Sequence, residues 1–305
     1  NFGSPTAAAP WGLNHTSVSA PGSFVDFTGG VGSGFASLTA NAGSLRFNSP
    51  GAVTAQGDVS LTADDIQLNG GVFSQTGSIS LTGNIDLTGN VLFKVAPGQD
   101  LIVDGGVAAN GYNILVRGNG GAANQVSFLG DVVGAGSFQI DSSGASTANA
   151  VALAGISANK FIVRGNIIEL SGDITSNVNV QFIGPVTLNG DVSVTSGSDA
   201  TYYTQFTSTI DGGYDLAVNS GAGRAVFAGE IGGATPVANV QVTSSANNFI
   251  TRNITTLGNF NWDNTGGKLT ITSGRIVDAG GNIDILADVF TNLGSLVAGG
   301  TINTP

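Results

Sequence analysis

Residues 57–62 read Gly-Asp-Val-Ser-Leu-Thr, and residues 77–82 repeat this pattern as Gly-Ser-Ile-Ser-Leu-Thr. The two copies start 20 residues apart, and residues 83–88 follow directly as Gly-Asn-Ile-Asp-Leu-Thr. Each copy begins with a glycine and a polar residue and then alternates apolar with polar residues. This alternation has the two-residue period of a β-strand, because successive strand side chains point to opposite faces. The stretch therefore predicts short strands separated by glycine corners.

The spacing of the copies indicates how such short strands stabilise one another. Strands of this length do not form a stable sheet alone. Near the C-terminus, Gly-Gly-Asn-Ile at residues 280–283 is echoed by Gly-Gly-Thr-Ile at residues 299–302, 19 residues later. An offset of 19–20 residues fits one coil of a β-helix, in which each coil contacts only its neighbours. We therefore predict an all-β, single-stranded parallel β-helix (β-solenoid) with about 19–20 residues per coil and about 15 coils.

The amino-acid composition supports this fold class. Glycine occurs 48 times among 305 residues, and charged residues make up 10% of the chain, against about 25% in an ordinary globular protein. Hydrophobic residues still make up 41%, which distinguishes the chain from a disordered one. Val, Ile, Thr, Gly and Asn are typical of strands and turns rather than helices.

Charge and cysteine content exclude several classes of function. The net charge is −11, with only nine lysines and arginines along the whole chain. Phosphate backbones and anionic membrane surfaces attract clustered basic residues, so we expect no nucleic-acid partner. The chain has no cysteine, which excludes disulfides and thiolate metal sites. No run of about 18 apolar residues occurs, so we expect no membrane insertion.

The repeat also suggests how the chain is organised. Residues 1–23 lack the pattern, so we predict an irregular N-terminal cap or extension over 1–23 and a continuous β-solenoid over 24–305. A further unit begins at Gly299 and stops within a few residues. A β-helix coil that ends in this way presents free backbone groups. We therefore expect self-association end to end, either as a continuing shaft or as stacked subunits.

The sequence predicts no catalytic residue, no cofactor site and no metal site. His15 is the only histidine, and no Gly-x-Ser-x-Gly segment supplies a nucleophile for it. A single histidine rules out most triads and histidine-based zinc sites. A turn or cap residue is the better interpretation of His15. The scattered aromatic residues are interpreted as packing residues rather than a sugar-binding platform: Trp11, Tyr202, Tyr203, Tyr214 and Trp262.

A polysaccharide-active or glycan-binding β-helix is the alternative function. A lyase or hydrolase of this kind needs clustered carboxylates, or carboxylates beside a basic residue. The candidates are Asp58, Asp64, Asp65, Asp100 and Asp104, with Arg117 and Arg164 as isolated basic residues. Ser78 follows Asp58 one coil later, so the repeat does not build an acidic ladder. Corner or solvent-facing aspartates are the favoured interpretation.

The repeat units resemble those of filamentous-haemagglutinin-like proteins. The resemblance rests on the units at 57–62 and 83–88, on Ser-Thr-Ile-Asp-Gly-Gly-Tyr-Asp-Leu-Ala-Val-Asn at 208–219, and on residues 223–233. It covers most of residues 50–305, and autotransporter passengers share it. It implies a right-handed parallel β-helix shaft, export from a bacterium, and adhesion, aggregation or matrix formation. The family's Asn-Pro-Asn-Gly secretion motif does not occur in this sequence.

These observations together predict a non-enzymatic structural protein outside the cell. We expect a β-solenoid shaft or a subunit of a surface fibre, filament or matrix that supports adhesion or cell aggregation. Cell-surface or matrix glycans are candidate partners. The two functions differ in one observable property, because only the enzyme requires acidic and basic side chains that converge on one face.

Overall fold

A computed structural model describes residues 14–27, 35–48, 53–118, 123–140 and 148–305. Throughout these ranges the secondary structure is strands and turns, with no helix. Parallel strands stack as a β-solenoid of about 13 turns. The predicted fold class is therefore confirmed. The chain divides into two compact units, one of Asn1–Asn159 with Arg164–Asn166 and one of Lys160–Val163 with Ile167–Pro305.

The first unit is built from short strands that follow the apolar–polar alternation. Its strands are β1 Asn14–Phe27, β2 Phe35–Phe47, β3 Val53–Ala55, β4 Val59–Leu68, β5 Val72–Ser74, β6 Ile79–Leu87, β7 Val91–Val95, β8 Leu101–Asp104, β9 Val107–Ala108, β10 Ile114–Gly118, β11 Gln125–Phe128, β12 Val132–Ala135, β13 Phe138–Ile140, β14 Ala150–Leu153 and β15 Ile156–Ala158. Strand β16, Phe161–Arg164, has residues in both units.

The second unit has the same construction. Its strands are β17 Ile168–Leu170, β18 Ile174–Ser176, β19 Val180–Ile183, β20 Val186–Leu188, β21 Val192–Thr195, β22 Tyr203–Phe206, β23 Ile210–Asp211, β24 Leu216–Asn219, β25 Arg224–Phe227, β26 Val240–Thr243, β27 Asn248–Ile250, β28 Ile254–Thr256, β29 Phe260–Ile271, β30 Ile276–Ala279, β31 Ile283–Asn292, β32 Ser295–Ala298 and β33 Ile302–Asn303.

Columns of apolar side chains form the core of the first unit. One column runs through five coils in register, and each of its members is at most 1% exposed: Leu38, Val59, Ile79, Leu101 and Val126. Full burial of one such side chain stabilises the fold by about 1.5–3 kcal/mol. The alternating pattern of the sequence places one column member in each coil.

Aromatic rings form a second type of column in the second unit. Phe161, Phe182 and Phe206 follow one another with ring centroids 5.1 and 4.7 Å apart. Phe227 continues the column at 5.5 Å from Phe206, nearly parallel to it. Trp262 then packs edge-on against Phe227 at 5.9 Å and is only 1% exposed. These rings occupy the interior, as the sequence analysis expects of Trp262.

Coil length varies more than the sequence repeat suggests. Val59 lies beside Ile79, and Ile283 lies beside Ile302, so these coils have the length of the repeat. The coil that brings Leu101 beside Val126 is several residues longer. Because longer coils use more of the chain per turn, the solenoid has about 13 turns rather than about 15. The extra residues lie in the corners between strands, because the paired strands keep their register.

Strand β1 extends the stack towards the N-terminus. It pairs in parallel with β2, and Val25 lies beside Leu45 in this register. Of the segment 1–23, for which an irregular cap is predicted, residues 1–13 lie outside the described ranges. From Asn14 onward the chain is already a paired strand.

Candidate functional site

A row of carboxylate and amide side chains runs along one corner of the second unit. We call it the carboxylate–amide row and define it as Asp191, Asp215, Asn239, Asn259 and Asn282. Each member immediately precedes a strand, at the point where the chain leaves a corner. Short Asp and Asn side chains suit this position, because their oxygen atoms accept hydrogen bonds from nearby backbone amides.

Hydrogen bonds link every member of the row to the next coil. The backbone N–H of Asp215 donates to Asp191 Oδ1 at 3.0 Å, and Asn239 Nδ2 donates to Asp215 Oδ1 at 2.7 Å. The backbone N–H of Asn259 donates to Asn239 Oδ1 at 2.7 Å, and that of Asn282 donates to Asn259 Oδ1 at 2.8 Å. Asn282 Oδ1 in turn accepts a hydrogen bond from the backbone N–H of Thr301. The row thus supplies acceptors to corner backbone groups that the strand ladders do not pair.

The members of the row other than Asn282 line a shallow groove of about 370 Å³. Asp173, Ser193 and Gln241 are also part of its wall. Asp173 repeats the chemistry of the row, since its Oδ1 accepts the backbone N–H of Ser193 at 2.8 Å. A carboxylate or amide oxygen accepts more than one hydrogen bond. The groove therefore has the chemistry to bind hydroxyl-rich molecules such as sugars.

Two other aspartates of this unit accept hydrogen bonds from a threonine two residues later in the same turn. The side chain and the backbone N–H of Thr201 donate to Asp199, and these bonds lower the pKa of Asp199 below its usual value. Thr265 does the same for Asp263 and lowers its pKa. Both carboxylates are thus kept ionised, the opposite of what a general acid requires.

Three of the candidate aspartates lie at strand boundaries, since Asp58 and Asp100 precede β4 and β8 and Asp104 ends β8. Ser78 lies between Asp58 and Asp100, because its backbone N–H donates to Asp58 Oδ1 and its Oγ accepts the N–H of Asp100. Asp104 lies beside Thr82, which in turn lies beside Thr62. The prediction that Ser78 interrupts the acidic ladder agrees with this register.

Asp64 and Asp65 are exposed neighbours within β4. Asp65 lies between Ser44 and Asn84 on the adjacent strands, so its cross-strand neighbours are neutral. The register does not place a basic residue beside either carboxylate.

Arg117 has a neighbour that the sequence analysis missed. It lies directly beside Lys94, since β10 pairs with β7 in parallel. Aligning Val91–Val95 with Ile114–Gly118 would have revealed this pair, but the offset between these segments is longer than the repeat that the sequence shows. Arg164 lies at the end of β16, and its Nε is buried without a hydrogen-bond partner.

The remaining candidate residues that the structure describes lie on separate strands and corners. His15 is part of β1, where it pairs with Ser37. Tyr203 lies beside Arg224, and Tyr214 is exposed in a corner. Tyr202, just before β22, is half-buried, and Trp11 lies outside the described residues.

Among the described ranges, no three His, Cys, Asp or Glu side chains group closely enough to hold a metal ion. In the same ranges, no helix has the length and hydropathy to cross a membrane. Comparisons of the chain with protein-family models, curated proteins and solved structures returned no match. The carboxylate–amide row is therefore interpreted from its own chemistry.

Proposed function

We propose that this protein is a non-enzymatic structural solenoid that works outside a bacterial cell. In this proposal it is a shaft or subunit of a surface fibre, filament or matrix that supports adhesion or cell aggregation. The resemblance to filamentous-haemagglutinin-like shafts supports the export and the surface location.

One observation carries the proposal, namely that the carboxylate–amide row serves to join coils. Asp191 and Asp215 each use Oδ1 to hold a donor on the next coil. An acid–base catalyst needs a carboxyl group that is free to exchange a proton with substrate. Carboxylates whose Oδ1 atoms already accept hydrogen bonds along a repeated corner fit a role in joining coils better than a role in acid–base catalysis.

The hydrogen bonds that join neighbouring coils also support end-to-end association of two molecules. Coils contact one another through parallel strand edges and corner hydrogen bonds, with the same chemistry at each step. A coil of a second chain offers the same edge, so one molecule can extend another without a new type of interface. Head-to-tail contacts of this type propagate into filaments.

Electron microscopy and sedimentation of the purified protein at rising concentration test this assembly. We expect fibres whose length grows with concentration. Discrete monomers at all concentrations would contradict the self-stacking. Antibody labelling of intact and permeabilised cells of the source bacterium tests the location, and labelling only after permeabilisation would contradict it.

A polysaccharide lyase, hydrolase or glycan-binding module is the second candidate function. The groove beside the carboxylate–amide row favours this second function. Asp191 and Asp215 lie on successive coils, whose neighbouring strands are about 4.8 Å apart. Retaining glycosidases hold two carboxyl groups about 5–5.5 Å apart.

Turnover assays separate the two candidates. Incubation with acidic and neutral polysaccharides, followed by measurement of reducing ends and of unsaturated products, should detect no cleavage. Cleavage that disappears in Asp191→Asn and Asp215→Asn would establish the enzyme instead. The matched control is Asp199→Asn, which changes a carboxylate in a corner turn outside the groove.

A further inference from the structure

A second groove of the second unit, of about 590 Å³, lies where the chain turns into β25 and β27. It shares no residue with the groove beside the carboxylate–amide row. Its walls include one cation and one aromatic ring, Arg224 and Phe249, and we call it the Arg224–Phe249 groove. Both side chains are exposed. Four of the other lining residues are small: Ala200, Ala222, Ala246 and Gly266.

Arg224 and Phe249 project outwards from successive coils. Arg224 begins β25, and Phe249 is the middle residue of β27. The two strands contact each other, and the backbone N–H of Ala225 donates to Asn248 Oδ1 at 3.1 Å. Ala225 and Asn248 are buried, so the residues next to them in each strand point to the outer face. A ligand in the groove can therefore contact the cation and the ring together.

A buried amide cluster fixes the backbone behind the groove. Asn248 Nδ2 donates to the carbonyl oxygen of Ala246 at 3.0 Å, and Asn264 Nδ2 donates to the same oxygen at 3.1 Å. Ser244 Oγ donates at 2.6 Å to the carbonyl oxygen of Gly223, the residue before Arg224. A site held by such supporting bonds loses little conformational freedom when a ligand binds. The groove is thus preorganised where its cation and its ring leave the backbone.

The charges around the groove narrow the class of ligand. Carboxylates lie in the turns that contain Ala200 and Gly266, and each accepts a hydrogen bond from its surroundings. Asp199 accepts from Thr201, Asp263 from Thr265 and Asp288 from Gly266. A polymer with dense negative charge would meet these carboxylates as well as Arg224, and like charges repel. A ligand with a single carboxylate can place it on the arginine alone.

We propose that the Arg224–Phe249 groove binds a sugar residue that carries a carboxylate. The planar guanidinium of an arginine matches a carboxylate with two parallel hydrogen bonds. Phe249 offers a flat apolar surface to the sugar ring, and the lining residues Ser245 and Asn247 offer polar groups to its hydroxyls. An apolar wall with a few polar groups is the usual construction of a small-molecule site. The site rests on the adhesive role proposed above and deepens it, because it gives that role a ligand class and a location.

Three small sugars test the site on the full chain. Methyl glucuronoside and the methyl glycoside of N-acetylneuraminic acid carry a carboxylate, whereas methyl glucoside does not. Saturation-transfer NMR and titration measure the binding of each sugar. We expect at least one acidic sugar to bind, and the glucoside to bind about tenfold more weakly or less, because it lacks the charge-assisted pair with Arg224. The acidic sugar that binds better identifies the ligand as a uronate or a sialate.

Variants assign the binding to the groove. Arg224→Gln should weaken binding of the acidic sugar by about tenfold or more, and Arg224→Lys should restore only part of it, because an ammonium group lacks the planar fork. Phe249→Ala should reduce the saturation transferred to the protons of the sugar ring. The matched control is Arg252→Gln, which removes an exposed arginine whose Nε donates to the carbonyl oxygen of Ala228 at 3.0 Å. It should bind like the wild type, and circular dichroism should show that all variants fold.

Three outcomes would overturn the proposal: wild-type protein that binds neither acidic sugar, a glucoside that binds as tightly as the acidic sugars, or equal losses in Arg224→Gln and Arg252→Gln. These measurements do not depend on assembly into fibres. Fibres from a protein that binds none of the sugars would leave the structural role without this site. Sugar binding by a protein that forms no fibres would keep the site and remove the self-stacking.

Discussion

Individual corner residues determine how closely the coils approach. A Cβ atom built on Gly83 would lie 1.7 Å from the carbonyl oxygen of Ala63 on the previous coil, and the φ angle of Gly83 is +128°. Gly105 repeats the situation one coil later, at 2.1 Å from the carbonyl oxygen of Gly83, with φ +140°. Only glycine adopts this conformation without strain and leaves room for the neighbouring backbone.

Replacing Gly83 with alanine should therefore destabilise the protein. The obstructing atom belongs to the backbone, which cannot rotate away, so we expect a loss of about 2–4 kcal/mol. Urea unfolding followed by circular dichroism measures this loss. The control is Gly213→Ala, where no atom lies within 4 Å of the added methyl group. A Gly83→Ala variant as stable as Gly213→Ala would show that the corners are looser than described.

At the scale of the element, ring columns and amide clusters fill the interior of the second unit. Asn248 Nδ2 donates to Asn264 Oδ1 at 2.7 Å and to Ser244 Oγ at 2.9 Å, and all three residues are at most 1% exposed. Asn248 Oδ1 also accepts the backbone N–H of Ala225 at 3.1 Å. Buried amides are tolerated when they are hydrogen-bonded in this way.

The ring column should contribute more stability than any exposed aromatic residue. Phe182 lies between Phe161 and Phe206 and is fully buried. We expect Phe182→Ala to cost about 3–5 kcal/mol, as is usual for a buried ring. Phe249 is 46% exposed, and Phe249→Ala should cost less than about 1 kcal/mol. Equal losses in the two variants, measured by urea unfolding, would contradict the role of the column.

Some elements could be predicted from sequence and others could not. Strands β4 and β6 follow from the repeated units at 57–62 and 77–82, because the alternation and the spacing are both explicit there. The buried position of Asn248 could not be predicted, since an asparagine in an alternating segment ordinarily faces solvent. Its burial depends on Ser244 and Asn264, which only the coil geometry brings together.

At the scale of the whole molecule, the solenoid is modular because strands pair with the neighbouring coils. Val192 lies beside Leu216, and Leu216 lies beside Val240, so two successive coils have the same length. Removing one period should therefore bring equivalent residues into the vacated positions. Asp215 would then precede Val240 as Asn239 does in the intact chain, which preserves the corner acceptor.

Deletion of a complete coil should thus preserve the fold, whereas deletion of half a coil should not. We expect the variant without residues 216–239 to keep its β-sheet circular dichroism and cooperative unfolding. The control lacks residues 216–227. This deletion shifts the following strands by half a coil and removes their apolar side chains from the buried columns. Loss of structure in both variants would show that these coils are not interchangeable.

The sequence by itself determined the class of the fold. Glycine followed by alternating apolar residues allows only short strands, and the regular offset between the copies requires them to stack coil upon coil. It also determined that Ser78 interrupts the acidic ladder after Asp58. Only the tertiary structure decided the cross-coil partners, because coils of unequal length change the register from one turn to the next. The carboxylate–amide row and the pairing of Lys94 with Arg117 depend on that register, since most of their members are separated by more residues than the repeat that the sequence shows.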